Sequence, residues 1–149
     1  MKHLTFLCTI PLMLLIVTCS NAQSKEEGEV VLLNKADFLV KVFNYEKQSD
    51  EWIYEGKKPC IIDFYADWCG PCKMVAPIMK ELAAKYKDEI IFYKIDVDEE
   101  KELAAMFGVN SIPMILYVPM EGIPRAAIGA YPKEIMVEQI KQILLGEEI

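Results

Sequence analysis

Cys69 and Cys72, separated by Gly70 and Pro71, stand where the apolar run CIIDFY gives way to a stretch with helical spacing. Two cysteines at that spacing serve as metal ligands, as a structural staple, or as a dithiol that exchanges with other disulfides. Cys8 and Cys19 fall in an apolar N-terminal segment, which leaves Cys60, Cys69 and Cys72 for the body of the chain. The lone histidine, His3, lies in that same segment. Zinc takes about four nitrogen or sulfur ligands, and a disulfide scaffold needs more pairs than these cysteines supply. The sequence therefore implies no metal and no other cofactor. A redox pair remains, with chance spacing as its plain alternative.

At a helix N-terminus the unpaired backbone N–H groups and the helix dipole favour negative charge. A cysteine there has a lowered pKa and a useful thiolate fraction near neutrality. Cys69, its sulfur expected at the exposed end, is the attacking thiol. Cys72, one turn in, is the resolving thiol, and the two can close a Cys69–Cys72 disulfide across the turn. Gly70 and Pro71 shape and stiffen the connection. Asp63 stands in the middle of an apolar strand, where an ionised carboxylate is costly to bury. Either it faces water at an edge, or it is a buried acid of raised pKa that takes and returns the Cys72 proton. Lys94, in FYKIDV, is either a solvated lysine or a neighbour of Asp63 on the facing strand that tunes it. Ile112-Pro113 ends a loop just before a strand, a place suited to a cis X-Pro bond. Cys60 reads as a small buried hydrophobe.

The elements that must hold these groups follow from periodicity. Residues 30–33 form a short strand, and Asn34 caps a helix with Phe38, Leu39, Val42 and Phe43 on one face. Residues 44–59 read as a helix end and a loop anchored by Trp52. CIIDFY has the continuous apolar character of a central strand covered on both sides. A helix over about 69–86 turns Met74, Ile78 and Leu82 inward, and Pro77 inside it is an expected kink. A strand (89–98), a helix (99–108) stopped by Gly108, a strand (114–118), a turn (121–124) and a return strand (125–131) follow. A last helix opens at Pro132 with Ile135, Ile140, Ile143 and Leu144 inward. The order β-α-β-α-β-α-β-β-α, parallel first and antiparallel last, implies an α/β fold with helices on both faces of a mixed sheet of about five strands.

This constellation resembles the thioredoxin family over about residues 30–145. WCGPCKMVAP is that family's active-site signature almost verbatim. Asp63, the helix proline Pro77, the strand lysine Lys94, SIP at 111–113 and IGA at 128–130 stand in the family's register. The resemblance implies a thioredoxin fold and a cis Pro113 facing the disulfide. It also implies an apolar groove for a substrate chain, lined by Trp68, Gly70, Pro71, Ile112, Gly129 and Ala130. The departures are a longer loop around Trp52, the extra Cys60 and the N-terminal segment.

That segment sets the expected compartment. Lys2 and His3 precede an apolar run of 14 residues, Leu4 to Val17, and small and polar residues follow it. A membrane-spanning helix needs about 20, so the pattern reads as an export signal. Ile16-Val17-Thr18-Cys19 resembles a lipoprotein box, which makes Cys19 a candidate lipid anchor, although Thr18 departs from the Gly, Ala or Ser usual there. Ser20-Asn21-Ala22 resembles an ordinary signal-peptidase site and is the preferred cut. The expected division is a signal at 1–22 (cut near 19 or 22), a disordered lead-in at 23–29 and one domain at 30–149. Losing the signal removes Lys2 from 16 bases and nothing from 23 acids, taking the formal charge from −7 to −8. Without a Lys/Arg patch, nucleic acid is excluded as a partner.

These readings describe an exported, periplasmic or cell-envelope reductase of disulfides in other exported proteins, fed by a membrane or soluble thiol electron donor. A net disulfide oxidase or isomerase is the alternative of the same chemistry. A thioredoxin-fold binding module or holdase without turnover is the alternative of another class, and it would be marked by loss of one cysteine.

Overall fold

The computed structural model describes residues 29–48 and 51–147. The expected export signal, the Cys19 anchor and the lead-in up to residue 28 lie outside the described residues. Five strands form one mixed sheet: β1 (Val30–Leu32), β2 (Cys60–Tyr65), β3 (Ile91–Asp96), β4 (Met114–Val118) and β5 (Arg125–Ile128). Their spatial order is β1-β3-β2-β4-β5. β3 runs parallel to both β1 and β2, whereas β4 is antiparallel to β2 and to β5. The helices are α1 (Lys35–Lys41), α2 (Gly70–Lys85), α3 (Lys101–Met106) and α4 (Lys133–Gln139), the last running on as a π-helical stretch over Ile140–Leu145.

β2 is the hydrophobic centre because alternate residues of a strand point to opposite faces and both faces are covered. Cys60, Ile62 and Phe64 pack with Phe38 of α1 and Leu103 of α3 in one core. Ile61 packs with Val75, Met79 and Leu82 of α2 and with Met136 and Ile140 in the other. Each such side chain, fully buried, contributes roughly 1.5–3 kcal/mol. The same alternation sends Asp63 to the α2 side.

Local signals hold at several boundaries. The Asp37 N–H donates to Asn34 Oδ1 at 2.8 Å, so Asn34 caps α1 as expected. The Trp52 ring stacks at 4.4 Å on Phe43 and anchors the loop before β2. α2 runs through Pro77 without a break in the helix. Its buried stripe, however, is Cys72, Val75, Met79, Leu82 and Ala83, with Met74 exposed. Mixed steps of three and four track one helix face, whereas repeated steps of four drift by about 40° each. The last helix buries Met136 and Ile140 and exposes Ile135, and its inward side shifts where the π-helical stretch begins. β5 ends at Ile128 because Gly129, at φ +113°, leaves the extended conformation.

Candidate active site

α2 starts where the central strand leaves the sheet, so the helix N-terminus stands at the C-terminal end of β2. Cys69 is the N-cap, and the Cys72 N–H donates to Cys69 Sγ at 3.2 Å. Pro71 falls in the first turn, where a missing N–H breaks no helical bond. A disulfide joins Cys69 and Cys72, with S–S 2.11 Å. Both half-cystines are nearly closed to solvent, 3% and 4% exposed. The expected exposed first sulfur is therefore not seen, because Tyr65, Val97 and Ile112 pack around the pair. What separates the two sulfurs is the side each one faces.

Cys69 lies against the backbone of Ile112. Its Sγ lies 3.8 Å from the Ile112 carbonyl oxygen, and the Ile112-Pro113 bond is cis. Trp68, Val97, Val109, Asn110, Ser111 and Ile112 line a cavity of about 370 Å³ beside it. The Trp68 indole is 69% exposed and is held by its Nε1–H, which donates to Asp98 Oδ2 at 2.8 Å. Gly70 and Pro71 are exposed. The Gly129 N–H donates to the Pro113 carbonyl at 2.8 Å. Gly129 and Ala130 thus stand next to the cis bond and not in the cavity's lining.

Cys72 faces the sheet. It shares a cavity of about 200 Å³ with Asp63, Tyr65, Lys73 and Lys94. A second cavity, about 430 Å³, opens between β1 and α2 and is also lined by Asp63 and Lys94. Asp63 is 5% exposed, which removes the water-facing alternative, and its Oδ1 has no hydrogen-bond partner. Burial pushes its carboxyl up to about 7, against a smaller lowering by Lys94. Lys94 is the half-buried register partner of Asp63 on β3, which makes the two residues neighbours. A buried carboxyl poised near neutrality beside Cys72 can exchange a proton with that thiol through one intervening water.

Cys60, free and fully buried, lies on the other side of β2, where burial pushes its thiol up to about 12. Among the described residues no His, Cys, Asp or Glu cluster could hold a metal ion. Sequence reasoning missed Asp98, Tyr65, Val97 and Val109. The acid-rich end of the β3 segment, DVD, was the available signal for Asp98.

The family model described as Thioredoxin matches residues 30–142. A thioredoxin of Borreliella burgdorferi is 45% identical over 111 residues, covering 74% of this chain and 94% of that protein. A thioredoxin of Haemophilus influenzae is 36% identical over 115 residues, covering 77% and 97% respectively. Among solved structures, a Malassezia sympodialis thioredoxin superimposes with TM-score 0.61 at 28% identity, covering 79% of this chain and 93% of that one.

Proposed function

The chain belongs to the thioredoxin family, and on that premise we propose that its Cys69–Cys72 pair works as a reductase of protein disulfides outside the cytoplasm. It is a thiol–disulfide oxidoreductase of the thioredoxin type, and its substrates are disulfide-containing proteins. In the reduced enzyme the Cys69 thiolate attacks one substrate sulfur, forms a mixed disulfide and expels the first substrate thiolate. Asp63 takes the proton of Cys72, whose thiolate attacks Cys69 Sγ and expels the second. Two electrons have then passed to the substrate, and the Cys69–Cys72 disulfide remains. A membrane or soluble thiol donor outside the chain resets it. Trp68, Gly70, Pro71, Ile112, Gly129 and Ala130 form the docking surface, with Pro113 placing the Ile112 carbonyl against Cys69.

The observation that carries the reductive direction is what reaches Cys69. The Cys72 N–H points at its sulfur, and the lone histidine of the chain is His3, far away in sequence. A thiolate stabilised by little more than a helix N-terminus is readily given up to a disulfide, whereas strong oxidants owe their power to an over-stabilised reduced form. The reading of export rests on the apolar run at 4–17, which precedes the family match beginning at residue 30.

An equilibrium titration tests the direction. The protein is poised against a graded dithiothreitol couple and followed by Trp68 fluorescence, which the adjacent disulfide quenches. The midpoint is expected near the reference value for thioredoxin itself, about −270 mV, which is a general standard and not a quantity read from this fold. A midpoint more oxidising than about −180 mV, the range of the isomerases, would make the protein an oxidase or isomerase. No reversible transition would leave the binding module. For location, the mass of the mature N-terminus in the cell envelope is expected to begin at Gln23. A lipidated Cys19 would replace the soluble form with an anchored one, and an intact Met1 in the cytosol would end the export reading.

A further inference from the structure

Asp63 and Tyr65 stand two residues apart on β2, so their side chains leave the same face of the strand. Lys94 is the register partner of Asp63 and shares that face. Its ammonium nevertheless does not pair with the carboxylate. Asp63 Oδ1 has no hydrogen-bond partner, and no ion pair joins the two among the described residues. The Lys94 Nζ lies instead 5.0 Å from the centroid of the Tyr65 ring, inside the roughly 6 Å reach of a cation–π contact. All three side chains line the cavity that contains Cys72.

We propose that Tyr65 is a positioning residue whose ring face holds the Lys94 ammonium off Asp63, so that the carboxylate stays free to take a proton from Cys72. A close opposite charge lowers a carboxyl pKa by about 1–3 units, which would leave Asp63 too weak a base for a thiol. On the ring, Lys94 lowers it only partly, and burial keeps it near 7. Burial and the neighbouring Asp96, Asp67 and Asp63 push the Tyr65 hydroxyl up, so the ring remains a neutral phenol at working pH. The other charged groups around Asp63 and Tyr65 are Asp96 on β3, Asp67 after β2, Lys73 and Lys80 on α2, and Glu29 before β1. β4 brings only the apolar Ile115 opposite Asp63.

The inference rests on the proton-accepting role of Asp63 given above, but its test needs no turnover. The Asp63 carboxyl is titrated by its ¹³C shift in the oxidised full-length protein. Tyr65→Leu is expected to lower the midpoint by about one unit, as Lys94 swings to the carboxylate. Tyr65→Phe, which keeps the ring, is expected to leave it in place. In a Lys94→Met background the effect of Tyr65→Leu is expected to vanish. Tyr65→Met gives the same test should the leucine variant not fold. An unchanged or raised midpoint, a fall in Tyr65→Phe, or a fall that persists without Lys94 overturns the proposal. Midpoints as expected with no disulfide reduction would count against the proposed function and leave this positioning role standing.

Discussion

The two faces of β2 grow from six consecutive residues and are built to different standards. On the α1/α3 side, Phe64 meets Phe107 at 5.5 Å, Phe107 meets Phe38 at 5.5 Å, and Trp52, stacked on Phe43, closes the cluster onto Phe107 at 6.3 Å. Cys60, Ile62 and Phe64 are each fully buried there. On the α2 side Ile61 packs as well, but two residues on stands Asp63, with cavities of about 200 and 430 Å³ beside it. A buried carboxyl near a void lowers stability, and a strand held only by that face would be a poor mount for chemistry. The aromatic face supplies what the other gives up. One side of the strand fixes its position, and the other side uses it.

The sharpest break in this comparison is at the sulfurs. Cys69→Ser is expected to bring reduction of an accessible protein disulfide such as insulin's, driven by a dithiol, down to background. Cys72→Ser is expected to accumulate mixed disulfides that a thiol reductant releases. Full turnover in Cys69→Ser would remove the attacking role. On the packed face, Phe64→Ala is expected to cost about 3–5 kcal/mol, read as a lower urea midpoint. A loss below about 1 kcal/mol would mean that this face does not hold the strand.

On the working face the sign reverses. The folded state raises the Asp63 carboxyl from 3.8 to about 7, so it binds that proton more tightly than the unfolded chain. The stability this contributes is complete below about pH 4 and is lost as pH rises through about 7. Asp63→Asn avoids that loss. Its stability relative to the parent is expected to rise between pH 4 and 7 and to level off above, by at most about 4 kcal/mol. The unpartnered amide takes back part of the gain. Urea midpoints at pH 4 and pH 8 measure it, and equal differences at both would show that folding leaves the proton affinity of Asp63 unchanged. The smallest expected effect is Cys60→Ala, about 1 kcal/mol, with the rate of disulfide reduction unchanged. A slowed rate would show that the two faces are coupled.

Much of the site was legible because a single stretch carries it. Asp63, Trp68, Cys69 and Cys72 lie within ten residues that leave the central strand and enter a helix, and local signals govern both elements. The cap at Asn34 and the central character of CIIDFY were legible for the same reason. Contributions from other elements were less so. That Asp98 holds the Trp68 indole and that Lys94 rests on Tyr65 depend on the β3 register, which no spacing within β3 reveals. The inward stripe of α2 was misplaced because several apolar residues compete for it, and the sheet below decides among them. The near-burial of Cys69 was missed because Val97 and Ile112 cover it from distant parts of the chain.

Cys60 has a consequence for how many redox states the described domain can visit. Three sulfurs free to meet would pair in three ways, and each pairing would have its own potential and its own exchange rates. The sheet forbids two of those pairings, because Cys60 lies behind β2 with no exposure while Cys69 and Cys72 lie at its end. The domain is then a single two-electron couple, either wholly charged or wholly spent, and it cannot be trapped by its own third thiol during repeated cycles.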